Sequence, residues 1–313
     1  MPGAIRIYAK RAAILLGAGL FLHLAALHSD EQKNPKRPHI TGIDHVRIYV
    51  TDIGKASAFY AKFVGPPTKT AYGCRTESLP CFPVNPFQQI ELQSVPWLSP
   101  KNWLAEVAYA TDNIEQMRSY LLAHKLDVTP ITKDLNGARH FGLRDPEGNS
   151  LSFIQRTEVS PNFVTVYHPV GTHLLHAGFV VKDAAAENRF YVDLLGFRLY
   201  WYGGFKVDGV DWYEIQVPDG DNWIEYMLNI PANADHKELG VQNHFSLGAK
   251  DIHAAADQLH TNGLQKFDGP EIGRDGKWGL DAYDPDGTRV EVMEFTPAKT
   301  PCCHAYTAPH PTP

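Results

Sequence analysis

The chain has 313 residues, 43 % of them hydrophobic and 20 % charged, with a net charge of −6. That length supports two domains with real cores. A mildly acidic chain without a basic stripe is repelled by phosphate, so nucleic acid is excluded as a partner and a small molecule is expected.

The N-terminus, "MPGAIRIYAKRAAILLGAGLFLHLAALHSDEQ", sets Arg6, Lys10 and Arg11 ahead of an apolar run from Ala12 to Leu27. A basic region before such a run predicts an export signal, and the run is short of the roughly 20 apolar residues of a membrane span. Residues 1–30 are therefore set apart from the fold, as a cleaved signal or a retained membrane anchor. The expected location is periplasmic or extracellular. Cys74 and Cys81 share the loop "YGCRTESLPC" and are placed to close a small disulfide ring. Cys302 and Cys303 are adjacent in a Pro-rich tail and would pair only with strain. Four free thiols is the alternative reading.

From residue 40 the chain repeats. "IDHVRIYVTD" (43–52) and "LLHAGFVVKD" (174–183) are alternating strands, each ending in Asp at the start of an amphipathic helix with a Phe-Tyr pair. "AEVAYATD" (105–112) and "NHFSLGAKD" (243–251) are shorter copies. These two units end in the turn-and-strand segments "RDPEGNSLSFIQ" and "YDPDGTRVEVMEF". Four βαβββ units result, over 40–97, 103–157, 173–229 and 242–296. They pair as a first domain (40–157) and a second (173–297), followed by an irregular tail (298–313). Periodicity alone gives only mixed α+β.

The Asp ending each first strand serves as a ruler. His176 lies seven residues before Asp183, His244 seven before Asp251, and His45 seven before Asp52. Glu291 lies seven after Asp284 of the last turn. Two imidazoles and a carboxylate from three strands suit a divalent first-row metal. The same count in the second unit reaches Ala105 and Ser152, which cannot replace these ligands. Glu106 is one residue off and is expected on the opposite face. The first domain is thus read as metal-free, with His45 and Glu91 forming a pair. His253, His260, His304 and His310 are read as surface residues.

"NWIEYMLN" (222–229) carries Glu225 in an apolar strand, facing either water or a cavity. Trp201, Tyr202, Phe205, Trp212, Tyr213, Trp223 and Tyr226 cluster in this unit and serve either the core or an apolar pocket. Arg274 and Lys277 precede the last hairpin, either solvated or closing on an anion.

These repeats and the DPDGxxxE pattern resemble the vicinal oxygen chelate superfamily over about residues 40–296. The resemblance implies an α+β fold of four βαβββ modules whose curved sheets enclose a metal cavity. It places ligands at His176, His244 and Glu291. "WIEYML" followed by "HKELGVQNH" is most similar to glyoxalase I, which implies Glu225 as a fourth ligand. The implied cofactor is one divalent ion (Ni, Zn, Co, Mn or Fe). The implied activity is glyoxalase-like proton transfer through a metal-stabilised enediolate, with Glu291 or Glu225 as base. One alternative is a type I extradiol dioxygenase with Fe(II) at His176, His244 and Glu291. In those enzymes a Tyr stands three residues before the DPxG Asp, where this chain has Asp281. A second alternative is a non-catalytic, resistance-type binder of small molecules.

Overall fold

The computed structural model describes residues 35–67, 79–95, 103–134, 137–156 and 169–313. The expected export segment lies outside the described residues, as does Cys74; Cys81 is disulfide-bonded. Among the described residues no helix is long and apolar enough to cross a membrane.

The strands form two mixed sheets. The first contains β1 (Ile40–Val50), β2 (Cys81–Pro83), β3 (Gln89–Ser94), β4 (Leu104–Thr111), β5 (Thr132–Lys133), β6 (Arg139–Arg144) and β7 (Ser150–Gln155), in the order β2-β3-β1-β4-β7-β6-β5. The second contains β8 (His173–Val180), β9 (Arg198–Gly203), β10 (Trp212–Gln216), β11 (Trp223–Met227), β12 (His244–Ala249), β13 (Asp268–Ile272), β14 (Trp278–Tyr283) and β15 (Arg289–Glu294). Its order is β13-β14-β15-β12-β8-β11-β10-β9. In each sheet the first strands of two units pair antiparallel at the centre, β1 with β4 and β8 with β12. Parallel neighbours flank them: β3 and β7 in one sheet, β11 and β15 in the other.

The helices begin where short polar side chains cap free backbone N–H groups. Asp52 caps α1 (Ile53–Val64), Asp183 caps α3 (Ala184–Asn188) and Asp251 caps α5 (Ile252–Thr261). The helix α3 runs on as a π-helical turn, Arg189–Leu194. A short helix, α4 (His236–Gln242), precedes β12. In the second unit the cap of α2 (Ile114–Ala123) is Asn113, whose side chain accepts from Gln116 N at 3.0 Å. The ruler for that unit therefore starts one residue later than Asp112. Seven residues back from the true cap is Glu106, not Ala105.

Strand alternation gives each sheet two different faces. In the second sheet Ala177, Phe179, Ile224, Tyr226, Phe245, Leu247, Val290 and Val292 join one continuous core with residues of the first sheet. The opposite face carries His176, Glu225, His244 and Glu291.

The two halves clamp each other in matched pairs. Tyr60 of α1 donates to Asp284 in the fourth unit at 3.0 Å, and Tyr191 donates to Asp145 in the second at 3.2 Å. Asp286 accepts from Thr51 N, while Glu147 accepts from Lys182 N and Asp183 N. The Phe-Tyr pairs and DPxG turns thus serve the domain interface as well as local folding.

The tail lacks regular structure but is docked. Thr307 N donates to Tyr200 O at 2.9 Å, and Trp201 Nε1 to His304 O at 2.9 Å. His304 stacks on Tyr202, and His310 Nδ1 lies 2.7 Å from Tyr200 Oη. These two histidines are part-buried, unlike the expected surface residues, because the tail lies across β9. His253 and His260 are exposed, as expected. Cys302 and Cys303 form a vicinal disulfide.

Candidate metal centre

Four side chains converge on the non-core face of the second sheet. His176 faces this way from β8, His244 from β12, Glu225 from β11 and Glu291 from β15. The register makes this unavoidable: Gly178 stands opposite both Glu225 and His244, and Ser246 opposite both His176 and Glu291. His176 Nε2 is 3.1 Å from His244 Nε2 and 3.1 Å from Glu291 Oε2. Glu225 Oε2 is 3.2 Å from His244 Nε2 and 3.8 Å from His176 Nε2. The fourth imidazole–carboxylate separation, His244 to Glu291, is 3.9 Å.

These separations fit a shared cation. Ligands at right angles around an ion with bonds of about 2.1 Å lie about 3.0 Å apart. One ligand atom each from His176, His244 and Glu291 lie within 4.8 Å of one another. Both imidazoles are buried and present Nε2 to the same point. His244 Nδ1 lies 3.1 Å from Gln242 O, and the Arg289 guanidinium lies against the ring edge, Nη2 3.0 Å from Nδ1 and 2.7 Å from Nε2.

The charge states also suit a ligand set. Burial and the nearby Arg289 hold the pKa of His244 below its usual value, against the pull of Glu225. Burial pushes Glu225 and Glu291 up, but the imidazoles, joined at Glu291 by Arg289, outweigh it and both carboxyls end below their ordinary range. The result is two acceptor-only carboxylates beside a neutral His244.

Two further residues were not found by sequence reasoning. Gly178 faces the site from β8, where an added Cβ would lie 2.1 Å from His244 Cε1. Only glycine admits the imidazole there, and a glycine inside a strand is the sequence signal of such a close approach. Arg289 places Nη2 2.7 Å from His244 Nε2 and Nη1 3.5 Å from Asp281. It lies two residues before Glu291, on the same strand face, which is how its position could have been read.

The first sheet has the same four positions. His45, Glu91, Glu106 and Ser152 match His176, Glu225, His244 and Glu291 in register, and Arg47 matches Gly178. Glu106 therefore faces inward, contrary to the sequence expectation, because the helix cap lies at Asn113. The Arg47 guanidinium occupies this site. It donates to Glu91 Oε2 at 2.7 and 2.9 Å and also to Glu106. Burial opposes the Arg47 charge, but the two carboxylates outweigh it and its pKa is raised. The expected His45–Glu91 pair is loose, at 3.8 Å. His45 instead meets Asp44 at 2.8 Å, and Asp44 is held by Arg156.

The aromatic cluster divides. Trp223 lies on the site face, its ring 4.9 Å from the His176 ring. Tyr226 points into the opposite core, and Phe205 is 77 % exposed. Arg274 is exposed and donates to Gly204 O, whereas Lys277 is buried and not part of a solvated loop. A hollow of about 650 Å³ lies elsewhere, where the sheets meet beside Asp44, Gln88 and Asn222. It contains none of the four converging residues.

Residues 173–292 match the model of the Glyoxalase/Bleomycin resistance protein/Dioxygenase superfamily. No curated protein is detectably similar to the chain in sequence. Solved structures are similar across both sheets. An extradiol ring-cleaving dioxygenase from Brevibacterium fuscum matches with a TM-score of 0.62 and 18 % identity, covering 82 % of this chain and 72 % of its own. Homoprotocatechuate 2,3-dioxygenase from Arthrobacter globiformis gives 0.62 and 17 %, covering 84 % and 82 %. The 2,3-dioxygenase LapB from Pseudomonas sp. KL28 gives 0.62 and 15 %, covering 89 % and 96 %. At these identities the likeness establishes the fold alone: four βαβββ modules in two paired domains.

Proposed function

We propose that the protein is a divalent-metal enzyme that moves a proton on a small, oxygen-chelating substrate. The observation that carries this reading is the fourth donor: Glu225 Oε2 stands 3.2 Å from His244 Nε2 and 3.8 Å from His176 Nε2. His176, Glu225, His244 and Glu291 would hold the ion. A bound divalent ion supplies a Lewis acid that polarises a chelated carbonyl.

The protein groups do the rest. The two imidazoles fix two corners of the site. Either Glu225 or Glu291 takes the α-proton once its contact with the imidazoles loosens, and returns it to the neighbouring carbon. Loosening is needed because both carboxyls are held below their usual pKa and are weak bases while paired. Trp223 walls one side of the site and excludes water. The N-terminal segment supports an exported enzyme, cleaved or membrane-anchored.

A second reading has its own support. His176, His244 and Glu291 form a triad, and the likeness to extradiol dioxygenases spans both sheets. Against it, Asp281 stands opposite Glu291 where those enzymes carry a tyrosine, and Tyr283 is 39 % exposed.

Metal content of wild type, Glu225→Ala and His176→Ala, with two assays, decides between them. Deuterium wash-in from D2O into dihydroxyacetone, lost in Glu225→Ala, is the expected result. Oxygen uptake with ring cleavage of catechol, surviving Glu225→Ala, would establish the dioxygenase instead. A metal-free wild type sinks both.

A further inference from the structure

Beyond the four metal-facing residues, the second sheet buries a lysine amine and a glutamate carboxyl that do not meet. Lys277 is 1 % exposed. Its Nζ has no hydrogen-bond partner, and among the described residues no carboxylate oxygen lies within 4.0 Å of it. It rests against three rings, 4.2 Å from the centre of Trp223, 5.0 Å from Tyr200 and 5.3 Å from Tyr306. Ring faces offset part of the lost hydration of an ammonium. They leave its three N–H donors without acceptors.

Glu214 presents the complementary lack. It is 3 % exposed, and its Oε2 has no partner. It stands directly opposite Glu225 in the β10–β11 pair, so both side chains share one face. Burial disfavours its charge most, Lys277 is the attraction that opposes this, and Glu225 and Glu291 repel it. Trp223 joins the two ends, lying against Lys277 on one hand and His176 on the other.

A buried donor and a buried acceptor, coupled but not in contact, call for a group that serves both. A hydroxyl accepts from one and donates to the other. An anion fits poorly, because it would add charge to a face that already carries Glu225 and Glu291, both of which repel Glu214. We propose that Lys277 and Glu214 bind a hydroxyl group of the substrate. The substrate would then be an oxygen chelator with a further hydroxyl remote from its two metal-facing oxygens. This inference rests on the metal-centre reading above.

A matched series of probes tests it. 4-Ethylcatechol, 4-(2-hydroxyethyl)catechol and 3,4-dihydroxyphenylacetate are titrated anaerobically into zinc-loaded protein, with metal measured in each sample. The hydroxyethyl probe should bind roughly tenfold tighter than the ethyl probe, as expected for a hydrogen bond to a charged group. That preference should vanish in Lys277→Met, while ethyl-probe affinity changes by less than about threefold. Glu214→Gln, which keeps the shape and the lysine, should reduce the preference and guards against misfolding of Lys277→Met. Metal-loaded wild type that does not prefer the hydroxyethyl probe, binding neither probe included, overturns the inference. So does tighter binding of the carboxylate probe, or a preference that persists in Lys277→Met. Absence of metal from wild type instead overturns the metal-centre reading itself.

Discussion

The two sheets carry the same constellation in the same register, and they solve it differently. In the second, Gly178 leaves room for His244, and four donors converge at separations that fit a cation, with Arg289 beside His244. In the first, position 47 is arginine, and its guanidinium reaches the site that an ion would take. Glu91 and Glu106 hold that guanidinium from the positions at which Glu225 and His244 would help hold a metal. Net positive charge is required in both places, because buried carboxylates without a counter-charge are costly. The first half fills its site with a guanidinium from its central strand; the second keeps Arg289 at the edge, against His244, and presents donors for a further cation.

The comparison breaks most completely at Gly178. Gly178→Arg should abolish metal binding, because even its Cβ collides with His244; elemental analysis should fall from about one ion per chain to none. The reverse change is a loss of stability. Arg47→Met leaves Glu91 and Glu106 buried without their partner, and should cost roughly 3–5 kcal/mol in urea unfolding. A null effect there would mean that the first site is not held together by charge.

Converting the first site sharpens the comparison. Arg47→Gly with Glu106→His and Ser152→Glu recreates the second sheet's donor set in register. Metal stoichiometry should rise from about one toward two, with the new ion held more weakly, since its surroundings are not adapted to orient the ligands.

The smallest effect concerns pH. Glu187, in α3, matches Ala56 of α1 by count from the helix caps. Burial, with help from Asp145, raises its pKa to about 8 from 4.5. The folded state therefore keeps a proton that the unfolded chain releases as pH rises above 4.5. Its contribution is fullest below 4.5 and is lost progressively up to about pH 8. Glu187→Gln should flatten this slope, with a difference from wild type of at most a few kcal/mol between pH 5 and 8.5, read from thermal unfolding.

Much of this was legible along the chain. The fourfold repeat, the strand–cap–helix order and the DPxG turns are local features, written in hydrophobic period and capping chemistry. His176, His244 and Glu291 could be aligned because they sit at fixed distances from those features. Glu225 could be placed by strand alternation together with resemblance. The error at Glu106 has a simple origin: Asp112 and Asn113 are both capping residues, and only the folded helix chooses between them. A shift of one residue then moved a side chain to the wrong face.

What the sequence by itself determined is the set of repeated units and the donors each one offers. What tertiary structure decided is which of these groups meet. Arg47 reads as an ordinary strand arginine until β1 is paired with both β3 and β4. Lys277 reads as a loop residue until the tail brings Tyr306 over it. The tail itself reads as irregular until it docks on Tyr200. The physical reason is common to all three. Periodicity and capping act over a few neighbouring residues, whereas charge compensation and cavity filling depend on pairs far apart in the chain, whose meeting is fixed only by register and packing.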